Sequence, residues 1–269
     1  MAATTPSTES VAGARAYEQL HVPALFRPWA EALIAEAEPG PGERILDLAC
    51  GTGILARTIA ARTGDPTRIT GVDADPGMLA VAAERAPEVR WLCAGAETLP
   101  FADASFERVF CQFGLMFFTD RQAGLREMRR VLRPGGRLHV AVWDAVDRSP
   151  PWDRLVPLLD RLAGRPAAEA LAMPFCLGDR DALADLCARS GLDDAEIETL
   201  ECRAAFPGIR ALVGAELHGW LPLMGVHLEA ACIDACLQAA DEELADLLAA
   251  DGTLAFTSRA HRITVQARP

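Results

Sequence analysis

Residues 44–57, Arg-Ile-Leu-Asp-Leu-Ala-Cys-Gly-Thr-Gly-Ile-Leu-Ala-Arg, constrain this chain more than any other stretch. An apolar run ends in Asp47, small residues continue to Gly53, and helical composition follows from Ile54. The pattern predicts a strand, a tight glycine loop and a helix N-terminus. Gly51 and Gly53 open φ values closed to other residues and leave room for a ligand to touch backbone. The helix start offers unpaired N–H groups to a carboxylate or phosphate. A plain strand-to-helix turn is the simpler alternative. The coincidence of an acid, two glycines and the downstream acid Asp73 argues against it.

Two ligand classes compete for this loop. Gly51-x-Gly53-x-x-Ala56 fits the relaxed dinucleotide pattern, and Asp73 falls about 20 residues on, where a ribose-binding acid belongs. Spacing does not separate NAD from S-adenosylmethionine (SAM). Asp47 does. A dinucleotide brings a doubly charged pyrophosphate there, which a carboxylate repels. SAM brings an α-ammonium that an acid holds, and no phosphate. Asp47 therefore points to SAM, with a NAD-binding oxidoreductase as the weaker reading.

With 269 residues, 51% of them hydrophobic, the chain suffices for one large domain and a sizeable core. Its formal charge of −12 argues against nucleic acid or an anionic membrane surface as partner. No apolar run reaches the roughly 18 residues of a membrane span. The first ten residues lack the basic and apolar regions of a signal peptide. Eight cysteines at uneven spacing read as reduced, buried thiols of a cytoplasmic protein.

Taken in order, residues 1–12 read as polar and disordered. Residues 14–37 read as two short helices interrupted at Pro23 and Pro28, an N-terminal lid that includes Tyr17. Strands follow near 44–48, 68–72, 89–93, 106–113 and 138–143, and helices near 54–62, 75–85 and 120–132, the last stopped by Pro134-Gly135-Gly136. Asp75-Pro76 reads as N-cap and first-turn proline. Strands alternating with helices mean a parallel, doubly wound α/β sheet. Residues 145–178 and 207–249 read as helical cap insertions. A helix at 181–190, a sixth strand at 195–206 and a last strand at 254–266 complete a single domain, 1–269, around a core at 40–143.

Other residues have quieter readings. Cys232 and Cys236 share a helix face but lack a further ligand set, so no metal site is expected. His139 reads as a satisfied structural histidine. His218 and His227 lie in the second insertion, where either could act as a general base or simply be solvated. Trp143, Trp220 and Met224 could line an apolar pocket or belong to ordinary core. The arginines from Arg126 to Arg137 read as a solvated face.

Four motifs together resemble the class I SAM-dependent methyltransferases, in particular those related to ubiquinone/menaquinone biosynthesis. They are the loop at 46–53, Gly71-Val-Asp-Ala-Asp-Pro-Gly-Met-Leu79, Ala94-Gly-Ala-Glu-Thr-Leu-Pro-Phe101, and 125–138 with Leu132-Arg-Pro-Gly-Gly136. The resemblance implies a Rossmann-like seven-stranded sheet, mostly parallel, with an antiparallel last strand. It implies that Ala49, Cys50, Gly51 and Gly53 hold the methionine part of SAM and that Asp47 helps with its amino group. It further implies Asp73 on the ribose, Ala74 and Met78 flanking the adenine, and Ala96 and Glu97 at the adenine edge. Cys111, Gln112 and Phe113 would face the methionine and the methyl-transfer gate.

Ala49 and Gly95 depart from the family pattern. Ala49 replaces a glycine and should only bring a methyl close to the ligand. Gly95 replaces an acid on the adenine amino group, a role Glu97 or a main-chain carbonyl could take. The implied activity is methyl transfer to a small, partly hydrophobic acceptor whose reacting atom is open among oxygen, carbon and nitrogen. A non-catalytic SAM-binding partner or regulator is the alternative. The sulfonium already activates the methyl group, so the protein mainly has to align the acceptor and exclude water, and an oxygen or carbon acceptor would also benefit from a base. The oligomeric state stays open.

Overall fold

A computed structural model describes residues 6–268. Its centre is a seven-stranded sheet in the order β3-β2-β1-β4-β5-β7-β6. The strands are β1 (Ile45–Leu48), β2 (Ile69–Asp73), β3 (Arg90–Cys93), β4 (Phe106–Gln112), β5 (Leu132–Trp143), β6 (Glu196–Phe206) and β7 (Leu254–Gln266). β1 pairs in parallel with β2 and β4, β2 with β3, and β4 with β5. β7 runs antiparallel to both β5 and β6. The expected antiparallel last strand is present, one place in from the edge.

The helices are α1 (Thr8–His21), α2 (Arg27–Ala37), α3 (Ile54–Thr63), α4 (Pro76–Arg85), α5 (Arg121–Val131), α6 (Trp152–Ala163), α7 (Arg165–Ala172) and α8 (Arg180–Arg189). α9 (Ile209–Ala215), α10 (Leu221–Leu223) and α11 (Ala230–Glu243) build the second insertion. Local chemistry sets many boundaries. Asp75 accepts from the Gly77 amide at 2.7 Å ahead of α4, and Gly64 closes α3 with φ 75°.

The sheet carries core on both faces. Ala30, Leu33 and Ile34 of α2 pack with Leu55 and Ile59 of α3 over Ile45, Ile69 and Phe110. Leu125 and Met128 of α5 cover the other face, with Val109, Leu138 and Val140 beneath them.

Several expectations need correction. Residues 1–5 lie outside the described residues, but 8–12 are helical rather than disordered. Ser7 caps α1 by accepting from the Ser10 amide at 3.1 Å. The N-terminal segment is one run rather than two short helices, because a π turn (Val22–Phe26) joins α1 to α2. Pro23 has no N–H to give and sits inside that turn. α5 ends at Val131, before Pro134, and the chain continues extended into β5.

His139 stacks on Phe110 with ring centres 5.0 Å apart, yet its buried Nε2 has no partner. Burial, with Arg108 and Arg137 nearby, pushes its pKa down to about 4, so the ring is neutral. The arginine face is not simply solvated either: Arg130 binds Glu127, Asp103 and the carbonyls of Leu99 and Phe101.

Candidate active site

The strand order reverses between β1 and β4, so the crevice beyond their C-terminal ends is where a ligand binds in such a sheet. The glycine loop leaves β1 at that point. Ala49, Gly51 and Gly53 all take left-handed backbone, with φ of 55°, 53° and 82°. The Cys50 amide donates to the Val72 carbonyl at 3.1 Å and ties the loop to β2.

Gly53 is required twice, by its φ and by Trp91 of β3. A Cβ added there would lie 2.4 Å from the Trp91 ring. The same ring crosses Gly71, where an added Cβ would lie 2.2 Å from it. Trp91 is thus the floor of the loop, anchored by its indole N–H on the Ala86 carbonyl at 2.9 Å. The sequence reading missed Trp91. A glycine inside a strand pattern marks close approach of another group, and Gly71 is that signal.

The methyl of Ala49 points toward the chain just beyond Phe113. It faces Gly114, where an added Cβ would lie 2.4 Å from it. The cost of alanine here is its left-handed backbone.

Asp47 is 1% exposed and accepts from the Ala56 amide of α3 at 3.0 Å. Burial, opposed by that hydrogen bond and reinforced by Asp73, pushes its pKa up to about 7. Asp73 accepts from the Gly51 amide at 2.8 Å and the Asp75 amide at 2.9 Å. Burial raises its pKa as well. Two carboxylates flanking one loop suit a ligand that carries a cation and hydroxyls. They do not suit a pyrophosphate.

α1 lies across this loop. A Cβ added to Gly51 would lie 4.0 Å from the Tyr17 ring. Burial and the neighbouring Asp73, Glu18 and Asp47 hold the Tyr17 hydroxyl well above the usual tyrosine range, so it stays protonated. Glu18, also missed from the sequence, accepts from the Thr52 hydroxyl at 2.5 Å and from Arg57 at 2.8 Å. Ser10 donates to Asp75 at 2.9 Å, fixing the start of α1 on α4.

Cys111, Gln112 and Phe113 end β4 on the same side. The Cys111 thiol is buried and its pKa is pushed up to about 12, which keeps it neutral. Gln112 donates to the Phe26 carbonyl at 3.2 Å. Phe113 lies flat on Trp143 with ring centres 3.6 Å apart. Phe26 joins them at 5.8 Å from Phe113 and 5.1 Å from Tyr17. An aromatic path therefore runs from the glycine loop to the end of β5.

Of the remaining positions, Ala74 is exposed at the end of β2, Met78 half-buried on α4 and Ala96 buried. Glu97 is engaged elsewhere, accepting from the Thr119 amide at 2.9 Å. His218 and His227 are exposed on the insertion and join none of these groups. Cys236 is buried, and Cys232 reaches the Leu162 carbonyl. No group of three or more metal-ligating side chains occurs among the described residues, and no helix among them is long and apolar enough to cross a membrane.

A methyltransferase-domain family model matches residues 45–136. The chain is 35% identical over 197 residues to the ubiquinone/menaquinone biosynthesis C-methyltransferase UbiE of Bordetella avium, covering 67% of this chain and 76% of that protein. The chain belongs to the class I SAM-dependent methyltransferases. The methyltransferase is also 41% identical over 128 residues to the demethylmenaquinone methyltransferase of Beutenbergia cavernae, covering 48% of this chain but only 50% of that one.

Among solved structures, the fold of this methyltransferase matches the YcgJ protein of Bacillus subtilis, with a TM-score of 0.58 and 21% identity over 90% of this chain and 99% of that one. It also matches a phosphoethanolamine N-methyltransferase 2 of Haemonchus contortus bound to S-adenosylhomocysteine (TM-score 0.61, 18% identity, 96% of this chain and 58% of that one). The family decides the cofactor as SAM rather than NAD. It also decides for an enzyme over a silent SAM-binding module.

Proposed function

We propose that this methyltransferase methylates a small, partly hydrophobic acceptor with a hydroxylated aromatic ring. The observation that carries the reading is the aromatic path from Tyr17 through Phe26 to the stacked Phe113–Trp143 pair. Flat apolar walls of this kind accept a planar ring. The names of the relatives, a ubiquinone/menaquinone C-methyltransferase and a demethylmenaquinone methyltransferase, support an acceptor of the hydroquinone type.

In this reading SAM supplies an electrophilic methyl group on a sulfonium. The loop residues Ala49, Cys50, Gly51 and Gly53, with Asp47 for the ammonium, hold its amino-acid end. Asp73 takes the ribose, Ala74 and Met78 flank the adenine, and Ala96 and Glu97 stand at its edge. For Glu97 this means sharing a carboxylate already bonded to Thr119. Cys111, Gln112 and Phe113 border the reacting side, and Tyr17 covers it. Residues 14–37 and 207–249 act as lid and cap that exclude water.

A labelled-methyl assay tests this, with hydroquinones, simple phenols, amines and thiols as acceptors. Transfer to the hydroquinones or phenols is the expected result. Transfer confined to amines or thiols would overturn the acceptor class.

A further inference from the structure

The two π turns among the described residues meet at one buried polar pair. His21 immediately precedes the turn Val22–Phe26, and Glu216 opens the turn Glu216–Trp220. π turns cost hydrogen-bond geometry and recur at functional sites. Here they bring the end of α1 against the second insertion just after α9. His21 Nε2 lies 3.5 Å from Glu216 Oε1. The Trp152 indole N–H donates to the same oxygen at 3.3 Å. Both side chains of the pair are largely shielded, at 14% and 8% exposure.

The other ring nitrogen, His21 Nδ1, is buried and has no hydrogen-bond partner. A buried polar atom left unpaired costs free energy and calls for an explanation. Its surroundings supply one. The imidazole stacks on Tyr17 with ring centres 5.7 Å apart, and Tyr17 covers Gly51 of the SAM loop. The imidazole also stands nearly perpendicular to the Phe206 ring, with ring centres 6.1 Å apart. The imidazole thus stands one ring away from the cofactor loop, at the near end of the aromatic path. A carboxylate on Nε2 fixes the tautomer that leaves the lone pair on Nδ1.

We infer that His21 is the general base of this methyltransferase and Glu216 its positioning residue. This rests on the proposed acceptor, a ring hydroxyl. Nδ1 takes the hydroxyl proton while that oxygen, or the ring carbon it feeds, forms the new bond to the methyl carbon; on the carbon route the resulting dienone then loses its ring C–H proton to solvent as its oxygen is reprotonated, restoring the aromatic ring. The sulfur–methyl bond breaks with its pair on sulfur, leaving a neutral thioether. The imidazolium is held by Glu216 and returns its proton to solvent. Exposed His218 and His227 have no part in this.

Variants His21→Gln, His21→Ala and Glu216→Gln test the assignment against a hydroquinone acceptor. Both His21 variants should lose about 10²–10⁴-fold in kcat with S-adenosylhomocysteine affinity kept. Added imidazole should restore part of the His21→Ala rate, which a packing role would not allow. Glu216→Gln should lower kcat with little change in acceptor KM.

A turnover-free measurement uses 4-nitrophenol with S-adenosylhomocysteine. The wild type should shift the bound phenol toward its coloured phenolate, and His21→Ala should not. Unchanged kcat in the His21 variants, or the same nitrophenol spectrum in wild type and His21→Ala, would overturn the base. If wild type methylates no hydroquinone or phenol, the acceptor reading falls, while the nitrophenol comparison still decides on His21.

Discussion

Asp73 Oδ2 accepts a hydrogen bond from the Gly51 amide at 2.8 Å, so the acid that ends β2 is fastened to the glycine loop leaving β1. Its other oxygen holds the Asp75 amide. A ligand that bonds to Asp73 therefore meets a carboxylate already fixed in place. Asp73→Ala should weaken SAM binding by about 1–3 kcal/mol, read by calorimetry, because bonds to a charged group are lost. NAD should show no binding in the same experiment.

Asp47 gives the protein a pH dependence near neutrality. Its folded-state pKa of about 7 lies above the ordinary carboxylate value because burial disfavours the ion. The native state then binds more protons than the unfolded chain between about pH 4 and 7, so ligand-free stability falls as pH rises through that window. Asp47→Asn removes a penalty that reaches roughly 4 kcal/mol at most above pH 7. Denaturant melts at pH 5 and 8 should show the variant gaining at both, and more at pH 8. A cationic ligand end favours the ion, so wild-type affinity for SAM should rise from pH 5 to 7 and level off, and Asp47→Asn should flatten that profile.

Ala49 and Gly114 form a coupled pair. Ala49 sits at φ 55°, where glycine is favoured. Ala49→Gly should stabilise the fold by roughly 0.5–1 kcal/mol. Gly114→Ala should destabilise it, since the new methyl would meet that of Ala49 at 2.4 Å. The double variant should recover much of the loss, an interaction visible in a thermal-melt cycle.

Glu18 fastens α1 to the loop through Thr52 and Arg57. Glu18→Gln should cost about 1–3 kcal/mol of local docking energy. Hydrogen exchange should then quicken in 8–26 while the strands keep their protection. In the wild type, S-adenosylhomocysteine should slow exchange both in 14–37 and in 207–249. Protection confined to 44–113 would exclude the lid and cap.

Much of the architecture was legible because its causes are local. The loop at 46–53 announces itself by an acid and two glycines within one turn, and Asp75-Pro76 and Gly64 mark helix ends by capping chemistry that spans three residues. β7 runs over Leu254–Gln266, where the sequence reading places the last strand. The side-chain partners around the site were not legible. Trp91 reaches Gly53 across two strands, Glu18 meets Thr52 34 positions away, and His21 meets Glu216 from the far insertion. His218 and His227 had the chemistry of a base but fell on the solvent side of their segment, while His21 was passed over as one residue of a lid. The sequence determined which segments form strands, loops and helix ends, because propensity, periodicity and caps act within a few residues. The tertiary structure alone decided which polar groups are buried and against whom, because that depends on how distant elements pack.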